Sequence, residues 1–97
     1  MDNREYNLIS KLSREAQSNK DYATALKLNQ QLYITEFERY QRNIELKREL
    51  LKINPTQKYL DTITETIDTL KILLKEREKH GVLLTETILK LNTGEDK

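Results

Sequence analysis

Three observations predict an all-α chain, a three-helix bundle with an extended antiparallel, coiled-coil-like hairpin. The first is composition. Two Gly, one Pro and 34% charged residues favour long helices over sheets joined by tight turns. The second is an apolar stripe: Leu60, Ile63, Ile67, Leu70 and Leu74, then Leu84, Ile88 and Leu91. Its steps of three and four are those of a helix seam. The third is punctuation at Ser18-Asn19-Lys20-Asp21 and at Asn54-Pro55, which divides the chain in three.

The first helix is expected over residues 4–18. Asp2 followed by Glu5 is a capping-box-like start, and Leu8, Ile9, Leu12 and Ala16 share one face. Asn19 tolerates the left-handed conformation of a helix end, and Asp21 is a good N-cap for the next helix. So short a link makes the first two helices antiparallel neighbours.

The second helix is expected over residues 22–53. Its first half is broadly apolar, from Tyr22, Ala25 and Leu26 to Leu32 and Phe37, and so touches two partners. Its middle narrows to Phe37, Tyr40 and Ile44, a stripe for one partner. Pro55 stops it, because the residue before a proline avoids the α region.

The third helix is expected over residues 55–92, with Asn54 as N-cap, Pro55 at the first position and Gln57 reaching back. Such a helix spans about 55 Å. Folding back about Asn54 brings Leu60 near Leu50, Leu70 near Tyr40 and Leu84 near Ala25. The first helix then covers only the end that holds Ala25 and Leu84, and an arm over residues 38–74 extends from it. The segment Lys75-Glu76-Arg77-Glu78-Lys79-His80, followed by Gly81, resembles a helix stop. Yet Arg77 and Gly81 fall at seam positions and the stripe resumes in phase at Leu84, so one continuous helix is expected. Residues 93–97 are expected to fray.

At 97 residues there is room for one domain. A net charge of +1 removes the simple argument for nucleic acid or an anionic membrane. There is no Cys, hence no disulfide or zinc-thiolate site. No apolar run approaches the roughly 18 residues that span a bilayer. The polar start, Met1-Asp2-Asn3-Arg4-Glu5, is not that of a signal peptide. The expected location is the cytoplasm.

No catalytic residue, cofactor or metal site is expected. His80, the one histidine, sits in a charged hexamer and reads as a solvated side chain. Ser10, Ser13 and Ser18 have no histidine to activate them. Both glycines stand alone, so no phosphate loop exists. Arg39, Arg42, Lys47, Arg48 and Lys52 form a basic set, but Glu38, Glu45 and Glu49 interleave with it as helix-stabilising pairs do.

The candidate functional surface is the arm. Leu46, Leu50, Ile53, Tyr59, Ile72 and Leu73 lie beyond the intrachain stripe, and a two-helix hairpin has no third surface to cover them. Apolar patches of this kind mark protein interfaces. The expected partner is a protein helix or a second copy of the chain.

The stretch Asn19-Lys20-Asp21-Tyr22-Ala23-Thr24-Ala25-Leu26, with Leu32 and Tyr33 after it, resembles a helical-hairpin corner. Tetratricopeptide repeats and the microtubule-interacting-and-trafficking domain share it, as does the helical domain of a COPII outer-coat subunit and the steroid receptor RNA activator protein. The resemblance covers residues 8–33. It implies that Tyr22 packs between helices, that Ala25 lets them approach and that Asp21 caps. The microtubule-interacting-and-trafficking domain further implies binding of short helical tails in trafficking or autophagy, although its second helix is shorter. The helix lengths are also similar to those of flagellar and type III export chaperones. The expected function is thus a non-catalytic adaptor or complex subunit. The alternatives are such a chaperone and a nucleic-acid-contacting accessory protein.

Overall fold

The computed structural model describes residues 1–94. It is an all-α three-helix bundle: α1 (Asn3–Ser18), α2 (Tyr22–Lys52) and α3 (Gln57–Thr93). The long axis measures 61 Å, set by the length of α3. α2 packs antiparallel on α3 along the hairpin, and α1 packs on the first half of α2. No helix among the described residues is long and apolar enough to cross a membrane.

Local chemistry sets the ends. Asp2 accepts from the Glu5 amide at 2.8 Å and starts α1. Asp21 accepts from the Thr24 amide at 3.3 Å and starts α2. Between them it is Lys20, not Asn19, that takes the left-handed conformation, with φ 60°. Asn19 stays at φ −85° and its amide bonds back to the Glu15 carbonyl.

The second turn also differs from expectation. Asn54 does not cap α3. It adopts φ 51° beyond the end of α2, where an amide side chain tolerates the left-handed region better than most. Pro55 then follows in the link, and Thr56 stands at the start of α3 without a side-chain cap. Gln57 reaches forward to Asp61 at 2.8 Å rather than back.

α3 runs unbroken through Gly81. Gly94, with φ 74°, closes it. Of the tail expected to fray, Thr93 is helical, and residues 95–97 lie outside the described residues. The α3 seam buries Ile63, Ile67, Leu70, Leu74 and Leu84 as expected. Leu91 is exposed, because α2 begins only at Tyr22 and leaves nothing opposite it. Leu84 meets Ala25 and Ala16 in the core where the three helices converge, with Tyr22 packed at its edge. Asp21 caps and Ala25 is fully buried, as the corner implied, while Tyr22 packs at the edge of the core.

Candidate functional site

The α2 seam is not the apolar stripe the sequence suggested. Its inward positions are Ala25, Asn29, Leu32 and Glu36, and in the middle of the helix Phe37 is exposed while Glu36 is buried. Glu36 retains only 1% of its surface. A buried carboxylate must be paired, and both other helices supply the partners. Arg77 Nε on α3 donates to Glu36 Oε1 at 3.0 Å. The Tyr6 hydroxyl on α1 donates to the same oxygen at 2.6 Å. Arg77 Nη2 also reaches the Tyr6 oxygen at 3.4 Å. One residue from each helix thus closes a polar knot.

The knot explains why α1 keeps only Ile9 and Ala16 of its expected face inward. Tyr6, Ile9, Ser13 and Ala16 face inward, while Leu8 and Leu12 are exposed. Leaving two leucines half exposed forfeits about 1 kcal/mol each. Leaving the buried carboxylate without the Tyr6 hydrogen bond costs about 1.5–3 kcal/mol, and more where the group is fully desolvated. The phase that satisfies Glu36 wins. Beside it Arg39 lies over the Tyr6 ring, 4.9 Å from its centroid, and Arg39 Nη2 donates to Asn3 at 3.3 Å.

The knot shifts its members. Burial and the Glu36 hydrogen bond push the Tyr6 hydroxyl above its ordinary 10.0. Burial by itself would lower the Arg77 guanidinium, but its bonds to Tyr6 and Glu36 outweigh that and hold it above its ordinary value. One seam position away, Asn29 Nδ2 donates to the Arg77 carbonyl at 3.0 Å. Glu36 Oε2 and Asn29 Oδ1 are buried with no partner from the chain.

α1 covers one flank of the hairpin. The opposite flank is open and forms a groove of about 620 Å³. Leu26, Tyr33 and Ile34 line it from α2, and Gly81, Val82 and Glu86 from α3. Tyr33 stacks on Phe37 at 6.2 Å and donates its hydroxyl to Glu78 at 3.2 Å. That bond, with slight burial, raises the Tyr33 hydroxyl. Gly81, with no side chain, leaves the floor open. A Cβ there would lie 3.4 Å from Asn29 Nδ2, an ordinary contact, and Gly81 is not among the residues of positive φ. Neither packing nor backbone conformation requires glycine, although in a helix interior it costs about 1 kcal/mol relative to alanine.

The arm residues singled out from sequence are only partly brought together. Leu46, Leu50 and Tyr59 line one hollow of about 350 Å³ with Thr62 and Thr66. Ile53 stands at the turn and is 72% exposed. Ile72 is exposed and Leu73 half-buried, both farther along α3 and outside that hollow. Of the basic set, Arg39 is engaged with Tyr6 and Asn3. His80 is half-buried. Among the described residues no group of three or more His, Cys, Asp or Glu side chains gathers.

Compared with protein-family models, with curated proteins and with solved structures, the chain matches none.

The sequence reading missed Tyr6, Asn29 and Glu36. A signal existed: Asn29 and Glu36 stand seven apart, in phase with the seam, and Arg77 interrupts the facing stripe.

Proposed function

We propose that the chain is a non-catalytic protein–protein interaction module, a small cytoplasmic adaptor or complex subunit that docks a helix on the open flank of α2 and α3. The observation that carries this reading is Gly81. It sits at a seam position where alanine would fit, and its missing side chain keeps the groove between Tyr33 and Val82 open. The polar knot supports the same reading. It holds α1 on one flank, so the apolar residues of the other stay uncovered. Ile34 and Val82 are 56% and 57% exposed, far from what a purely intrachain seam needs. A helix laid against them would complete a four-helix arrangement at this end. The hollow at Leu46, Leu50 and Tyr59 offers the arm as a second, smaller surface.

A selection from displayed helical peptides tests this. The chain is the bait, and the Gly81→Leu variant, which fills the groove, is the counter-bait. The reading expects peptides captured by the first and lost on the second. Equal capture by both baits, with the variant folded by circular dichroism, would refute it.

A further inference from the structure

The outward face of α3 carries a second seam, distinct from the one that faces α2. Ile72, Lys75, Lys79, Val82, Glu86 and Leu89 follow one another by steps of three and four, and all are exposed. Ile72, Val82 and Leu89 keep 59%, 57% and 57% of their surface. Val82 and Glu86 also line the groove beside Gly81, so the seam runs along its edge. Shallow hollows continue it, past Lys79 and Leu83 on one side and past Leu89 and Thr93 on the other.

From this pattern we infer that a second copy of this chain docks along the edge of the open flank, its α3 lying antiparallel on this outward seam. The inference rests on the helix-docking reading above and gives it a partner. In an antiparallel pair each position of one seam faces the other type of position. Centring the twofold axis between Lys79 and Val82 sets Ile72 against Leu89 of the second copy. It sets Lys75 against Glu86 of the second copy, and the Lys79 stem against Val82 of the second copy. Symmetry makes each pairing occur twice, as an isologous contact requires. Apolar thus meets apolar, cation meets anion, and the Lys79 stem covers Val82 with its ammonium outside.

Other arrangements fail on charge. Sliding the second copy by a heptad one way sets Lys75 against Lys79. Sliding it the other way sets Val82 against Glu86 and leaves no ion pair. A parallel pair sets Lys75, Lys79 and Glu86 each against its own copy. Like charges held opposite one another suppress the first slide and the parallel pair, and the second slide loses both ion pairs and sets a carboxylate on an apolar side chain. The charges on this face therefore specify one orientation and one register.

Charge exchange tests this without knowledge of any other partner. The wild-type chain, Lys75→Glu, Glu86→Lys and the double variant are compared by sedimentation equilibrium over a concentration series. Wild type should dimerise. Each single variant places like charges opposite twice and should weaken dimerisation about tenfold or more. The double variant should regain wild-type affinity. Single variants that dimerise like wild type, or a double variant that stays weak, would overturn the register. A wild-type chain that remains monomeric throughout would overturn the dimer. Peptides lost on Gly81→Leu would in that case still uphold the docking reading, and their absence would end both.

Discussion

Glu36 and Arg77 meet at 3.0 Å in the seam between α2 and α3, although 41 positions separate them in the chain. The pair fixes which residues face one another along the hairpin. Tyr6 extends it to α1, so one buried carboxylate orders three helices. Removing one partner strands a buried charge. Glu36→Ala or Arg77→Met should each lose about 3–5 kcal/mol, read from urea unfolding. Replacing both with apolar residues, as Glu36→Leu with Arg77→Met, should be neutral or stabilising. Additive losses in the double variant would contradict the pairing.

The hydroxyl of Tyr6 carries a pH dependence whose sign follows from its raised pKa. Its proton is bound more tightly in the fold than in the unfolded chain. The contribution is therefore complete below the unfolded value near 10 and is lost as pH rises through the higher folded value. Midpoints of thermal unfolding should fall above about pH 10 more steeply for wild type than for Tyr6→Phe. Parallel curves for the two proteins would show that the hydroxyl is not held by Glu36.

Much of this fold was legible in the sequence, and the reasons are specific. The α3 stripe is apolar at nearly every seam position, so its periodicity found the helix and carried it through Gly81. Asp2 and Asp21 are short acceptors placed before helical patterns, and both cap. α2 was harder to read. Its seam is polar at Asn29 and Glu36, and more of its apolar residues lie off the seam than on it. A hydrophobic pattern then points to Phe37, Tyr40 and Ile44, while burial follows the carboxylate that needs Arg77. The same cause hid Tyr6 and turned Leu8 and Leu12 outward. Of the candidate surfaces the sequence pointed only to the arm, where Leu46, Leu50 and Tyr59 share a hollow, whereas the groove at Gly81 appears once α1 is seen to occupy the other flank.

Gly81→Ala should stabilise the monomer by about 0.5–1 kcal/mol, since the added Cβ finds an ordinary contact and the helix loses its most flexible residue. Urea unfolding measures it. A destabilised variant would mean that the helices need the close approach for their own packing.

Lys20 sits at φ 60° in the first turn, a conformation that costs an ordinary side chain about 1–2 kcal/mol. Lys20→Gly should therefore raise stability by up to about 1 kcal/mol. Asn54→Val, at φ 51°, should lower it by about the same amount or more. Opposite signs in thermal unfolding would contradict the turn conformations described here.

A helix that lands on the flank beside Gly81 covers Val82. The chain has no cysteine, so Val82→Cys creates a single thiol that takes a solvent-sensitive fluorophore. Lys11→Cys on α1 is the control, exposed and away from the groove. Emission is followed as unlabelled chain, and then a selected helical peptide, is added. Helix docking on this flank gives a blue shift at position 82 and none at position 11. Equal shifts at both positions, or none at position 82, would contradict it.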